Sequence, residues 1–126
     1  MLTLQQHLMH TDEDQPVVED IIVGYNDKAQ LLIQLQHTDY EDSRYTCHTS
    51  LVIEREDAYK WARQWQVTLR DLPQAIGKRF KAYGNITNAR YDDVSRCFGE
   101  IIDCLVDGKC RYRIVRKYGK HGFSCG

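Results

Sequence analysis

The spacing of apolar residues changes twice along this chain of 126 residues. Up to residue 53 the apolar positions alternate or form short β-branched runs, and from residue 58 to about 105 they recur every three or four positions. After residue 108 the alternation returns. A spacing of two places side chains on opposite faces of a strand, whereas a spacing of three or four forms one stripe along a helix. The patterns therefore predict an α+β fold in which helices cover one side of an antiparallel sheet.

Three strands are predicted before the change of spacing, at residues 17–24, 29–37 and 45–53. Asn26 and Asp27 between the first two are typical of a hairpin turn, so the three segments are expected to form an N-terminal meander. The tail alternates over residues 110–117 and ends, after a glycine-containing turn, in residues 123–125. We expect a C-terminal hairpin that completes the sheet.

Three helices are predicted in the middle of the chain. Asp71 has the position of an N-cap for the second helix, because Pro73 suits a first helical turn. Gly84 is expected near the end of that helix, and Gly108 is the predicted C′ residue of the third, which starts near residue 92. The side chains expected to face inward are Ala58, Trp61, Ala62 and Trp65, then Leu72, Ile76, Phe80 and Tyr83, then Val94, Phe98, Ile101 and Leu105.

The composition is that of a single domain covering residues 1–126. Hydrophobic residues make up 42% of the chain, and its two prolines lie outside any glycine-rich or serine-rich linker. A chain of this length buries one core without metals or disulfides. Its start does not have the pattern of a signal peptide, and no apolar run has the length of a bilayer span. We expect a cytoplasmic protein without membrane contacts, whose five cysteines are reduced thiols.

The charge is divided between the two halves of the chain. Residues 1–57 contain three basic and twelve acidic side chains, whereas residues 58–126 contain fourteen basic and six acidic ones. Aromatic residues are interleaved with the basic ones in the second half. This composition suits a surface that binds phosphates and stacks bases. It predicts a small anionic ligand of the nucleotide type.

The candidate site combines a pair of arginines with a loop. Arg111 and Arg113 are two residues apart on a predicted strand, so their guanidinium groups share a face and can fork onto one diphosphate. Phe80 and Tyr83 are candidate platforms for a stacked base. The predicted ligand-binding residues are Phe80, Tyr83, Asn88, Arg90, Arg111 and Arg113. The alternative is that the arginines are solvated or pair with the acidic half of the same domain.

No arrangement of residues indicates catalysis or a resident cofactor. The chain lacks the common nucleophile, zinc-protease, P-loop and dinucleotide motifs. Cys47 and His48 are adjacent on a predicted strand, which places the thiol and the imidazole on opposite faces, and His37 is the histidine that could meet His48 across neighbouring strands. The cysteines and histidines also lack the paired spacing of a zinc site. We expect a non-catalytic protein that holds no metal or cofactor.

The general layout resembles that of small phage-encoded anti-Thoeris proteins. The shared features are the size, the front sheet followed by helices, the basic closing hairpin, and the set of Phe80, Arg111 and Arg113. The resemblance implies that the protein sequesters cyclic ADP-ribose signalling nucleotides of bacterial immunity, without cleaving them, in the cytoplasm of a bacterial host. It also implies a homo-oligomer with pockets at the subunit contacts, which the separated charges of the two halves favour independently.

Two other functions fit the charge distribution. An interaction module or inhibitor from a mobile element would use the acidic side chains of residues 39–57 to mimic nucleic acid. A nucleic-acid-binding protein would use the basic half, and its affinity would then depend steeply on salt. The net charge of −1 favours this last function less than the others.

Overall fold

The computed structural model describes residues 2–10, 17–41, 46–80, 91–118 and 123–125. The strands in these ranges are β1 (Thr3–His10), β2 (Val17–Tyr25), β3 (Leu31–Asp39), β4 (Cys47–Ile53), β5 (Arg113–Tyr118) and β6 (Phe123–Cys125). The helices are α1 (Arg55–Gln64), α2 (Leu72–Phe80) and α3 (Tyr91–Asp107). The α+β class and the three predicted helices are confirmed.

The six strands form one antiparallel sheet in the order β1 to β6. The three helices separate β4 from β5 in the chain, yet these strands are neighbours in the sheet, with Val52 opposite Arg113. The N-terminal meander and the C-terminal hairpin therefore belong to the same sheet, as the sequence predicts.

One face of the sheet is buried under the helices. Ile33 of β3 lies opposite Val23 of β2 and Leu51 of β4, and all three side chains are fully buried. Trp61 contacts Trp65 edge to face, with ring centroids 5.1 Å apart. The buried helical residues are Ala58, Trp61, Ala62, Leu72, Ile76, Phe80, Cys97, Phe98, Ile101 and Leu105. The predicted helical stripes are confirmed for these residues, whereas Tyr83 and the side chain of Val94 lie outside the described part.

The spacing of apolar residues does not predict β1. Its pairing with β2 shifts register between Thr3 and Gln6 and again further along the strand. Leu4, within the first irregularity, has a φ of 56°. Such irregularities break the period of two by which a strand is recognised. Gly24 of β2 permits the close approach, because a Cβ there would lie 3.0 Å from the carbonyl oxygen of Thr3. The three predicted strands of the meander are present as β2, β3 and β4, and β1, which was not predicted, extends the sheet by one strand.

The end of α3 differs by one residue from the prediction. Lys109, rather than Gly108, adopts the left-handed conformation, with a φ of 57°. The amide of Lys109 donates to the carbonyl of Val106 at 3.0 Å, and the amide of Cys110 donates to the carbonyl of Leu105 at 2.8 Å. These two bonds form a Schellman motif, in which the left-handed residue occupies C′. The prediction of Gly108 at C′ is wrong because Gly108 is the last residue before the left-handed one.

Glycine at position 109 should stabilise the fold. A left-handed conformation costs a side-chain-bearing residue about 1 kcal/mol, and glycine is free of this cost. We expect Lys109→Gly to be more stable than Lys109→Ala by about 1 kcal/mol in urea denaturation. Both variants remove the lysine side chain, so Lys109→Ala is the matched control. Equal stability of the two variants would contradict the assignment of this cap.

Candidate functional site

Arg111 is held by an acidic residue of α1. Its backbone amide donates to Asp57 Oδ1 at 3.1 Å, and its Nε donates to Asp57 Oδ2 at 3.3 Å. Asp57 is 5% exposed, whereas Glu56, the second acidic neighbour at 3.9 Å, is almost fully exposed. The contact joins the segment that leads into β5 to the first turn of α1. Arg111 thus pairs with the acidic half of the chain, which is the alternative that the sequence left open.

Arg111 and Arg113 line one cleft. The prediction that both lie on one strand is wrong for Arg111, because β5 begins at Arg113. The cleft has a volume of about 240 Å³ and also contains Glu54 and Asp57. Arg113 is exposed. Two carboxylates beside two guanidinium groups leave little net positive charge for a phosphate. This cleft is therefore a weaker anion site than the sequence suggests.

Phe80 is not available to a ligand. Its side chain is 1% exposed, because it follows Ile76 by four residues on the buried stripe of α2. The guanidinium of Arg79 lies 6.0 Å from the centre of its ring. The interpretation of Phe80 as a base platform is therefore wrong. The other three predicted site residues, Tyr83, Asn88 and Arg90, lie outside the described ranges.

A second cleft contains two arginines that the sequence patterns did not predict as site residues. It has a volume of about 520 Å³, and its lining includes Arg55 and Arg70 together with Leu4, Tyr25 and Leu69. We call it the arginine cleft. Both arginines are exposed, and neither forms an ion pair with any residue in the described part of the chain. Asp27 is the acidic residue in the lining. Positive charge thus exceeds negative charge here.

A chain of hydrogen bonds from the β2–β3 turn fixes the position of Arg55. Asn26 Oδ1 accepts the amide of Gln30 at 2.9 Å, and Asn26 Nδ2 donates to Gln30 Oε1 at 2.8 Å. Gln30 Nε2 in turn donates to both carboxylate oxygens of Glu54, at 2.9 and 2.7 Å. Glu54 is the N-cap residue of α1, and Arg55 is the first residue of that helix. The turn is therefore hydrogen-bonded to the N-cap of α1, the residue before Arg55.

Tyr25 holds the segment that carries Arg70. Its hydroxyl donates to the carbonyl of Leu69 at 2.5 Å, across 44 positions of sequence. Burial raises the pKa of Tyr25 to about 12, and the positive charge of Arg55 opposes part of that rise. The phenol therefore stays protonated near neutral pH and remains a donor. This bond connects the end of β2 to the loop between α1 and α2.

The position of Arg55 on its helix is a signal that the sequence contains. A helix N-terminus carries partial positive charge, so a cation in the first turn is unfavourable. Glu56 and Asp57 follow the usual preference, and Arg55 opposes it. A residue placed against the helix dipole points to a role other than helix stability. The second arginine of the cleft, Arg70, has no comparable feature in the sequence, because only the fold brings it close to Arg55.

A third surface lies along the outer side of α1. It has a volume of about 440 Å³ and is lined by Tyr59, Lys60, Arg63 and Gln64. The guanidinium of Arg63 lies 5.9 Å from the centre of the Tyr59 ring. One face of the Tyr59 ring is thus covered by a cation of the same helix. We regard the arginine cleft as the better binding site.

Comparison of the chain with models of protein families, with curated proteins and with solved structures finds no match. The resemblance to anti-Thoeris proteins therefore stays a prediction, and the site is interpreted from its own residues.

None of the helices in the described ranges combines the length and apolar character that crossing a membrane requires. Within those ranges, no three His, Cys, Asp or Glu side chains are grouped so that they could hold a metal ion.

Removal of the Asp57 carboxylate should destabilise the fold. Asp57→Ala leaves the backbone amide of Arg111 without its acceptor, which costs about 1–3 kcal/mol of unfolding free energy. Glu56→Ala is the matched control on the same helical turn, and it should change the unfolding free energy by less than about 0.5 kcal/mol, since exposed ion pairs contribute little. Urea denaturation at pH 7 measures both. Similar losses in the two variants would show that the Asp57 contact is not specific.

Proposed function

We propose that the protein binds a phosphorylated, base-containing ligand in the arginine cleft and holds it without converting it. The observation that supports this function is that Arg55 and Arg70, unpaired within the described chain, line one cleft. The proposed ligand is of the kind that the sequence predicts. The proposed site differs, because it contains Arg55 and Arg70 instead of Arg111 and Arg113.

The phosphate preference follows from the chemistry of the two guanidinium groups. A guanidinium presents its N–H donors in a planar fork that matches two oxygens of a phosphate. Because Arg55 and Arg70 come from different segments, they can approach a diphosphate from two sides. No described carboxylate holds either guanidinium, so a phosphate does not have to displace a partner.

The rest of the lining suits an organic group attached to the phosphate. Leu4, Leu69 and the ring of Tyr25 provide apolar surface beside the arginines. Asp27 adds a carboxylate that can accept a hydrogen bond from the amino group of a base. The volume of about 520 Å³ falls in the range of small-molecule sites, which is about 300–1,000 Å³. A nucleoside diphosphate has the shape and charge that this lining fits.

We propose that the ligand is bound without a chemical reaction, because the described lining offers groups that bind a ligand and no paired nucleophile and base. The described lining contains no cysteine, serine or histidine. Threonine is present as Thr3, and no described hydrogen bond joins it to Asp27, the carboxylate of the lining. Sequestration of a signalling nucleotide, by a homo-oligomer in a bacterial host, is the form of this function that the resemblance to anti-Thoeris proteins would imply.

Binding of ADP tests the proposed site. Arg55→Gln and Arg70→Gln should each weaken ADP binding in isothermal titration calorimetry by at least about tenfold, the effect of losing one charge-assisted hydrogen bond. Inorganic pyrophosphate should compete with ADP, because it occupies the two guanidinium groups.

Arg63→Gln is the matched control, since it removes an exposed arginine of α1 that lies outside the arginine cleft. Its affinity for ADP should equal that of the unmodified protein. Unchanged ADP affinity in the double variant of Arg55 and Arg70, or a loss in Arg113→Gln alone, would overturn the proposed site.

A further inference from the structure

Three chemically active side chains form a row across the helix-covered face of the sheet. Glu19 of β2 lies opposite His37 of β3, and His37 lies opposite Cys47 of β4. Residues opposite each other in neighbouring strands project to the same face. We call these three residues the thiol row. The histidine beside Cys47 is thus His37, whereas the sequence neighbour His48 pairs with Gln36 on the other face. The expectation that His37 and His48 could meet is wrong for the same reason.

Glu19 orients the imidazole of His37. His37 Nδ1 lies 3.2 Å from Glu19 Oε1, and an ionised carboxylate accepts from the ring N–H. Glu19 is 6% exposed, while the His37 side chain is 33% exposed. Burial raises the pKa of Glu19, and its hydrogen bond with His37 and the charge of that ring lower it.

Cys47 lies opposite His37 on one neighbouring strand, and Arg116 occupies a diagonal position on the other neighbouring strand. Cys47 is half-buried, and its Sγ is 3.9 Å from Thr49 Oγ1 on the same strand. Arg116 of β5 lies opposite Thr49, so the exposed guanidinium belongs to the same face as the thiol. Reactive cysteines are typically partly exposed, with cations or imidazoles nearby.

The other described cysteines have a different environment. Cys97 is fully buried, and burial raises its pKa to about 12. Burial also raises the pKa of Cys104 and of Cys110, both of which pack with the core. These thiols are held in the unreactive, protonated form near neutral pH. Among the cysteines whose side chains the structure describes, Cys47 is the one that combines access with a neighbouring imidazole.

We propose that Cys47 is a modification site for thiol–disulfide exchange with a small anionic disulfide, with His37 as the proton acceptor and Arg116 as the anion-binding residue. The thiol proton moves to the imidazole, and the thiolate attacks one sulfur of the disulfide. A new S–S bond forms on Cys47 as the old S–S bond breaks. The departing thiolate takes the proton back from the imidazolium, so one disulfide and one thiol are consumed and one of each is produced.

Glutathione disulfide is the probe for this exchange. The unmodified protein is incubated with it at pH 7, and the rate of mixed-disulfide formation at each cysteine is read by peptide mapping. Cys47 should react at least about tenfold faster than Cys104, and faster than Cys47 of the urea-unfolded chain. A rate at Cys47 that does not exceed its rate in the unfolded chain would overturn the proposal without any variant.

Two variants and one control separate the proposed roles. His37→Gln should slow the reaction of Cys47 about tenfold, while His48→Gln, the matched control on the opposite face, should leave it unchanged. Arg116→Gln should slow exchange with glutathione disulfide more than alkylation by neutral iodoacetamide, a difference that a purely structural effect would not produce. Equal rates in His37→Gln and His48→Gln, or equal slowing of both reagents in Arg116→Gln, would contradict the assigned roles.

Discussion

β4 is hydrogen-bonded on both sides, to β3 and to β5, and most of the structure depends on the register of these two pairings. Because side chains alternate, a slip of one residue would exchange the buried and exposed faces of β4. The observed register places Leu51 and Ile53 in the core. It also places Cys47 beside His37. The contact between Asp57 and Arg111 supports this register, because it fixes the entry of β5 against the helix that follows β4.

The division of charge along the chain does not become a division of the molecule into a basic and an acidic side. Asp57 and Arg111 come from opposite halves and pair within the chain. The arginine cleft also draws on both halves. Arg55 is one of the few basic residues of the acidic half, and Arg70 belongs to the basic half. Charge density in the sequence thus led to the proposed kind of ligand, whereas the fold determines which cations lie unpaired in a cleft.

The spacing of apolar residues was sufficient to predict β2 to β5 and all three helices, because each of these elements buries one regular face. It failed for β1, where irregular pairing around Leu4 breaks the alternation. The choice of Phe80 for the site failed because its basic neighbours obscured its place on the apolar stripe of α2.

The arginine cleft could not be predicted from local sequence. It requires the hydrogen bond from Tyr25 to Leu69, which spans 44 positions. The pairing of Cys47 with His37 likewise requires the register between two strands. Local patterns therefore predicted the elements, and contacts between distant residues determined which side chains share a site.

The central claim is that Arg55 and Arg70, rather than Arg111 and Arg113, bind the phosphates of the ligand. Nuclear magnetic resonance of the arginine Nε–H groups during titration with ADP tests it most directly, because each guanidinium gives its own signal. We expect the signals of Arg55 and Arg70 to shift with a common saturation curve while those of Arg111 and Arg113 stay in place. Shifts confined to Arg111 and Arg113, or no shift at any arginine, would contradict the claim.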